Sequence, residues 1–129
     1  LASDRTQRLD LLGRTAELRD RELDDSHGAA RDYQRLLDLD PPDADQARRT
    51  VTALCRLHLE HGDFISLVRT QRELLRFVDA SSEQCKIRLD IARYQLEYLH
   101  DRVGAALTYS EVLDIEPANL KALDALEKL

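Results

Sequence analysis

The chain has 129 residues, 43% hydrophobic and 34% charged, with a net charge of −6 and both signs interspersed; no apolar run is long enough to span a bilayer, and no Lys/Arg block marks a nucleic-acid or membrane footprint. Four glycines and three prolines among abundant Leu, Ala, Arg, Asp and Glu favour long helices around a modest core. Two cysteines, Cys55 and Cys85, need no disulfide in a helical core and fit a reducing, cytoplasmic setting.

Apolar residues recur at three- and four-residue spacing, and period-2 alternation is absent, so the expectation is all-α. Turn and stop residues delimit seven helical segments, at about 4–24, 27–39, 43–61, 64–78, 81–99, 102–115 and 118–129. Pro41 and Pro117 close two of them, since proline cannot continue a helix. Asp25, Asp63 and Asp101 recur at a spacing of 38 and mark turns. Gly62-Asp63 is the clearest, a stop followed by a cap. The stripe in 64–78 is Phe64, Leu67, Val68, Gln71, Leu74 and Leu75; in 81–99 it is Ile87, Ile91, Tyr94 and Tyr98. The last segment places Leu120, Leu123, Leu126 and Leu129 on a face without a following partner. The chain starts at Leu1 and contains no methionine, which reads as a piece of a longer protein.

Two segments 76 residues apart are nearly alike. The run from Gly28 through Ala29, Ala30, Tyr33, Leu37 and Asp38 to Pro41 matches Gly104, Ala105, Ala106, Tyr109, Leu113, Asp114 and Pro117. Leu36/Val112, Leu39/Ile115 and Asp40/Glu116 are conservative changes. Self-similarity at this period predicts stacked supersecondary units.

On these residues the chain resembles the tetratricopeptide repeat family. The third unit carries Ile91-Ala92, Asp101, Ala105, Tyr109, Val112-Leu113 and Pro117. The first carries Thr15-Ala16, Asp25, Ala29, Tyr33, Leu36-Leu37 and Pro41. The second carries Leu54-Cys55, Gly62-Asp63-Phe64, Leu67 and Leu74-Leu75, with Gln71 in the tyrosine position and Asp79 near the closing proline. Small residues at the crossings let helices approach, and the aromatic fills the gap beside them. The resemblance implies antiparallel hairpins stacked as a right-handed α-solenoid, with repeats at 4–41, 43–79 and 81–117 and a half repeat at 118–129. The second repeat is expected to be the least regular, around Asp79-Ala80-Ser81-Ser82.

The resemblance also implies a function, a scaffold or adaptor that binds a peptide or helix segment in a concave groove lined by the first helix of each unit. Carried onto matching positions, the groove takes Arg49, Arg56, Leu59, Lys86, Leu89, Arg93, Leu96, Lys121 and Lys128 as its binding residues. Thr52, Glu60, Glu97 and Asp124 fall on the same face, and the first helix adds Asp10, Gly13, Glu17, Asp20 and Arg21. The later helices thus offer six basic and three acidic groove residues, against one basic and three acidic in the first. The Lys/Asn/Arg carboxylate clamp of one family subtype is missing, because the only asparagine, Asn119, lies in a turn.

Other chemistry is poorly supported. Cys55, His58 and His61 have ligand-like spacing, but the third residue is nearly two turns from the first and a fourth ligand is lacking. They sit at helix-packing positions, so no metal and no cofactor is expected. A phosphate loop, an H-E-x-x-H run and a serine elbow are all absent from the sequence, so no catalysis is expected. The expected partner is another protein or peptide, not nucleic acid or membrane, with self-association through the exposed end faces as a further expectation. The competing reading is a regulatory or packing segment of a larger enzyme or transcription factor.

Overall fold

The computed structural model describes residues 2–39 and 44–129. Among them the chain is all-helical, and no helix is long and apolar enough to cross a membrane. It divides into two compact units, 1–63 and 64–129. The division falls in the turn at Asp63, within the second expected hairpin.

The first unit holds α1 (Ala2–Arg21), α2 (Ser26–Asp38) and α3 (Ala44–His61). Helix α2 packs against both α1 and α3. The apolar stripes place Leu9, Ala16, Ala29, Tyr33, Leu36, Leu37, Val51 and Leu54 in the core. The expected closure at Pro41 lies outside the described residues.

The second unit holds α4 (Phe64–Leu74), a 3-10 turn (Leu75–Phe77), α5 (Ser81–Glu97), α6 (Arg102–Ile115) and α7 (Leu120–Lys128). Each α-helix packs on the next in chain order. Cys85, Ala92, Ala105, Tyr109, Val112 and Ala122 form its buried cluster, with Leu89, Leu96 and Leu126 packed against it. Helix α6 ends before Pro117, as expected from the missing N–H of proline.

Two caps are copies of each other. The carboxylate of Asp25 accepts from the Gly28 backbone N–H at 3.0 Å, and that of Asp101 from the Gly104 N–H at 2.9 Å. A Cβ on either glycine would stand 2.2 Å from the capping carboxylate. Here the repeated glycine is a matter of room beside the cap. The residues at 24, 62 and 100, again 38 apart, all have positive φ: Asp24 50°, Gly62 69° and His100 52°. In the flanking turns Asp25 N–H donates to the Arg19 carbonyl at 2.8 Å, and Asp101 N–H to the Gln95 carbonyl at 2.9 Å. These bonds occupy carbonyls that the helix ends leave without partners.

The segment expected as one helix over 64–78 differs. The α-helix stops at Leu74, tightens into the 3-10 turn, and Val78 is extended and buried. The Gln84 side-chain amide donates to the carbonyls of Leu75 (3.1 Å) and Val78. That amide takes over acceptors that a continued helix would have satisfied.

Candidate functional site

The α1 positions Asp10, Gly13, Glu17, Asp20 and Arg21 share one helix face by their spacing, and so do Arg49, Thr52 and Arg56 on α3. In the first unit all eight line one concavity of about 1010 Å³. Its floor includes Tyr33 from α2, and its walls add Arg14 and Arg48. Five arginines (14, 21, 48, 49 and 56) therefore face three carboxylates (Asp10, Glu17 and Asp20). Leu59 is 39% exposed and lies outside this lining.

The charges in this concavity are organised. The Arg56 guanidinium donates from Nη2 to Asp20 Oδ2 and from Nη1 to Glu60 Oε1 at 3.1 Å. Asp20 has its side chain only 10% exposed, and it also faces the Tyr33 hydroxyl at 3.5 Å. Burial opposes the charge on Arg56, but Asp20 and Glu60 outweigh it and push its pKa above the usual arginine value. The Tyr33 hydroxyl is pushed up by burial first, then by Asp20 and Glu17. Arg14 pairs with Asp10 at 3.1 Å along α1.

In the second unit, Lys86, Leu89 and Arg93 of α5 and Lys121 of α7 line a depression of about 420 Å³, together with Asp90 and Tyr109. A second depression, about 600 Å³, takes Leu96, Lys121, Asp124 and Lys128, joined by Arg102. All six groove residues expected in this unit thus line one or both depressions. Arg93 lies 3.7 Å from Asp90 and 3.7 Å from Glu97, both on its own helix, and stacks over Tyr94 at 4.8 Å. Burial, then Glu97, pushes the Tyr109 hydroxyl up.

Tyr33 and Tyr109 were not counted among the groove residues by sequence reasoning, which assigned them to the core. Both are buried and both also reach a floor. Their shared place in the 76-residue repeat was the signal that could have found them.

The Cys55, His58, His61 run makes no common centre. The Cys55 thiol is buried, and burial pushes its pKa up to about 12. The His61 ring stacks on His27 with centroids 4.0 Å apart, and its Nε2 lies 2.9 Å from the Ser26 hydroxyl. Among the described residues no three His, Cys, Asp or Glu side chains are grouped to hold a metal. No protein-family model matches this chain, and no curated protein matches it.

Proposed function

We propose that this chain is a tetratricopeptide-type array whose concave faces bind an acidic, partly apolar peptide or helix segment, acting as an adaptor without catalysis. The observation that carries the reading is the joint lining of one concavity by eight residues that helix spacing places on one face of α1 and one face of α3. Supporting it, the capped and left-handed turns recur at the repeat spacing, as stacked hairpin units require. Basic side chains outnumber acidic ones in each concavity, although the whole chain is at −6. Exposed pairs are worth only about 0–1 kcal/mol each. Affinity then rests on apolar contacts with side chains such as Leu89 and Leu96, and the charges set orientation and on-rate. The two free buried cysteines support a cytoplasmic setting.

A screen of acidic-apolar peptides tests this reading. Binding should be roughly micromolar, fall with added salt, and fall again when Arg49, Lys86 and Arg93 are together reversed to glutamate. Binding indifferent to salt and to that reversal would favour the second reading, a packing segment of a larger enzyme or transcription factor. That reading draws on Leu11 at 66%, Val103 at 73% and Leu120 at 73% exposure.

A further inference from the structure

The two concavities differ in the charges that their equivalent positions carry. Matching α1 to α5 across the 76-residue repeat, Asp10 becomes Lys86, Glu17 becomes Arg93 and Asp20 becomes Leu96. Each carboxylate on the concave face of α1 is replaced on α5 by a cation or an apolar side chain, while Arg14 and Arg21 become Asp90 and Glu97. The floor tyrosine is kept, as Tyr33 and Tyr109.

In the first unit Asp10 pairs with Arg14 and Asp20 with Arg56. Asp20, nearly buried, reaches from α1 to Arg56 on α3 and sits beside the Tyr33 hydroxyl. A peptide carboxylate approaching Arg56 would find that place already filled by a tethered group at high effective concentration. In the second unit, among the described residues, the carboxylates paired with Arg93 come from its own helix and not from across the depression. The partners of Arg93 are Tyr94 and two half-exposed carboxylates at 3.7 Å, all on its own helix, and solvent largely screens such exposed pairs. Lys86 and Lys121 stand in the same depression, beside Leu89 and over Tyr109.

We propose that Asp20 is a built-in occupant of the carboxylate place in the first concavity, so that ligand carboxylates are taken by Lys86, Arg93 and Lys121 in the second. The inference rests on the peptide-binding reading above. It makes Asp20 a specificity-determining residue and assigns Arg56 to internal structure.

The probe is a fluorescein-labelled peptide of alternating glutamate and leucine, followed by anisotropy on the full chain at low salt. Lys86→Ala with Arg93→Ala should weaken binding by about tenfold or more, and Arg56→Ala by less than about twofold. Asp20→Leu, which copies the residue at position 96, should restore binding in the Lys86→Ala/Arg93→Ala background by freeing Arg56. Asp20→Asn, nearly the same shape, serves if the leucine variant loses its helical circular dichroism. If Arg56→Ala weakens wild-type binding as much as the double alanine variant does, or neither Asp20 variant restores it, the inference fails while peptide binding stands. If neither wild type nor the Asp20 variants bind the probe, both readings fall.

Discussion

Arg19 Nε lies 3.2 Å from the carboxylate of Asp32, which is buried on α2 at 6% exposure. Seventy-six residues on, the same two positions hold Gln95 and Thr108, and the Thr108 hydroxyl donates to Gln95 Oε1 at 2.7 Å. The contact between these two positions is thus an ion pair in one copy and a hydrogen bond between uncharged side chains in the other. The second copy also brings a cation to this place, since the Arg72 guanidinium donates to the Thr108 hydroxyl at 3.0 Å.

This equivalence predicts a strong coupling. Arg19→Gln alone leaves a nearly buried carboxylate without its cation and should cost about 2–3 kcal/mol. Changing Asp32→Thr as well rebuilds the pair seen at Gln95 and Thr108 and should recover most of that loss. Urea unfolding of the two singles and the double checks it; additive losses would refute the equivalence.

Ala105 is fully buried at a helix crossing, in the cluster with Ala92, Tyr109 and Val112. Ala105→Leu inserts three carbons where no space exists and should cost roughly 1–3 kcal/mol. A chemical melt matching that of the parent would contradict the packing described.

The Asp101 cap and Gly104 should show a context-dependent effect. Gly104→Ala by itself gains helix propensity of about 0.5–1 kcal/mol but evicts the capping carboxylate, a loss of about 1 kcal/mol, so the net change should be near zero. In an Asp101→Ala background no cap remains to lose, and the same glycine substitution should stabilise. Equal effects of Gly104→Ala in the two backgrounds would show that the 2.2 Å clash is relieved without loss of the cap.

Stability should fall at alkaline pH through Cys55. Burial pushes its thiol from 9.0 up to about 12. Well below 9.0 the thiol is protonated in both states and contributes no pH dependence. From there up to about 12 the unfolded chain gives up the proton while the folded chain keeps it, so stability drops as pH rises through that window. Urea midpoints measured across it should fall less steeply for Cys55→Ala, which carries the small residue found at positions 16 and 92. Parallel slopes would exclude Cys55 as the source.

Seven helical segments were legible in the sequence to within a few residues, because the apolar stripes and the Asp and Pro punctuation are local signals. The end of α4 was not. Leu74 and Leu75 continue the helical period, and what terminates it is Gln84, reaching back to Leu75 and Val78. The left-handed backbone at Asp24 and His100 was equally hidden, since glycine alone advertises positive φ. Helix-face arithmetic selected the residues of each concavity but not their pairing. The bond from Arg56 to Asp20 joins residues 36 apart in sequence, and only the packing of the unit brings them together. Leu59 falls outside its concavity, although its spacing from Arg56 is helical.

The short connection after α4 is also where a protease is expected to cut first. Between the 3-10 turn and α5, Val78 is the buried anchor, Asp79 and Ala80 are exposed, and Arg76 is exposed within the turn. The backbone here is held by the buried Val78 side chain and the Gln84 side-chain amide, where a helix would offer a ladder of bonds, so loss of the Gln84 contacts should ease local opening. Limited trypsin digestion should find Arg76 before the basic residues inside intact helices, and Gln84→Ala should hasten that first cut.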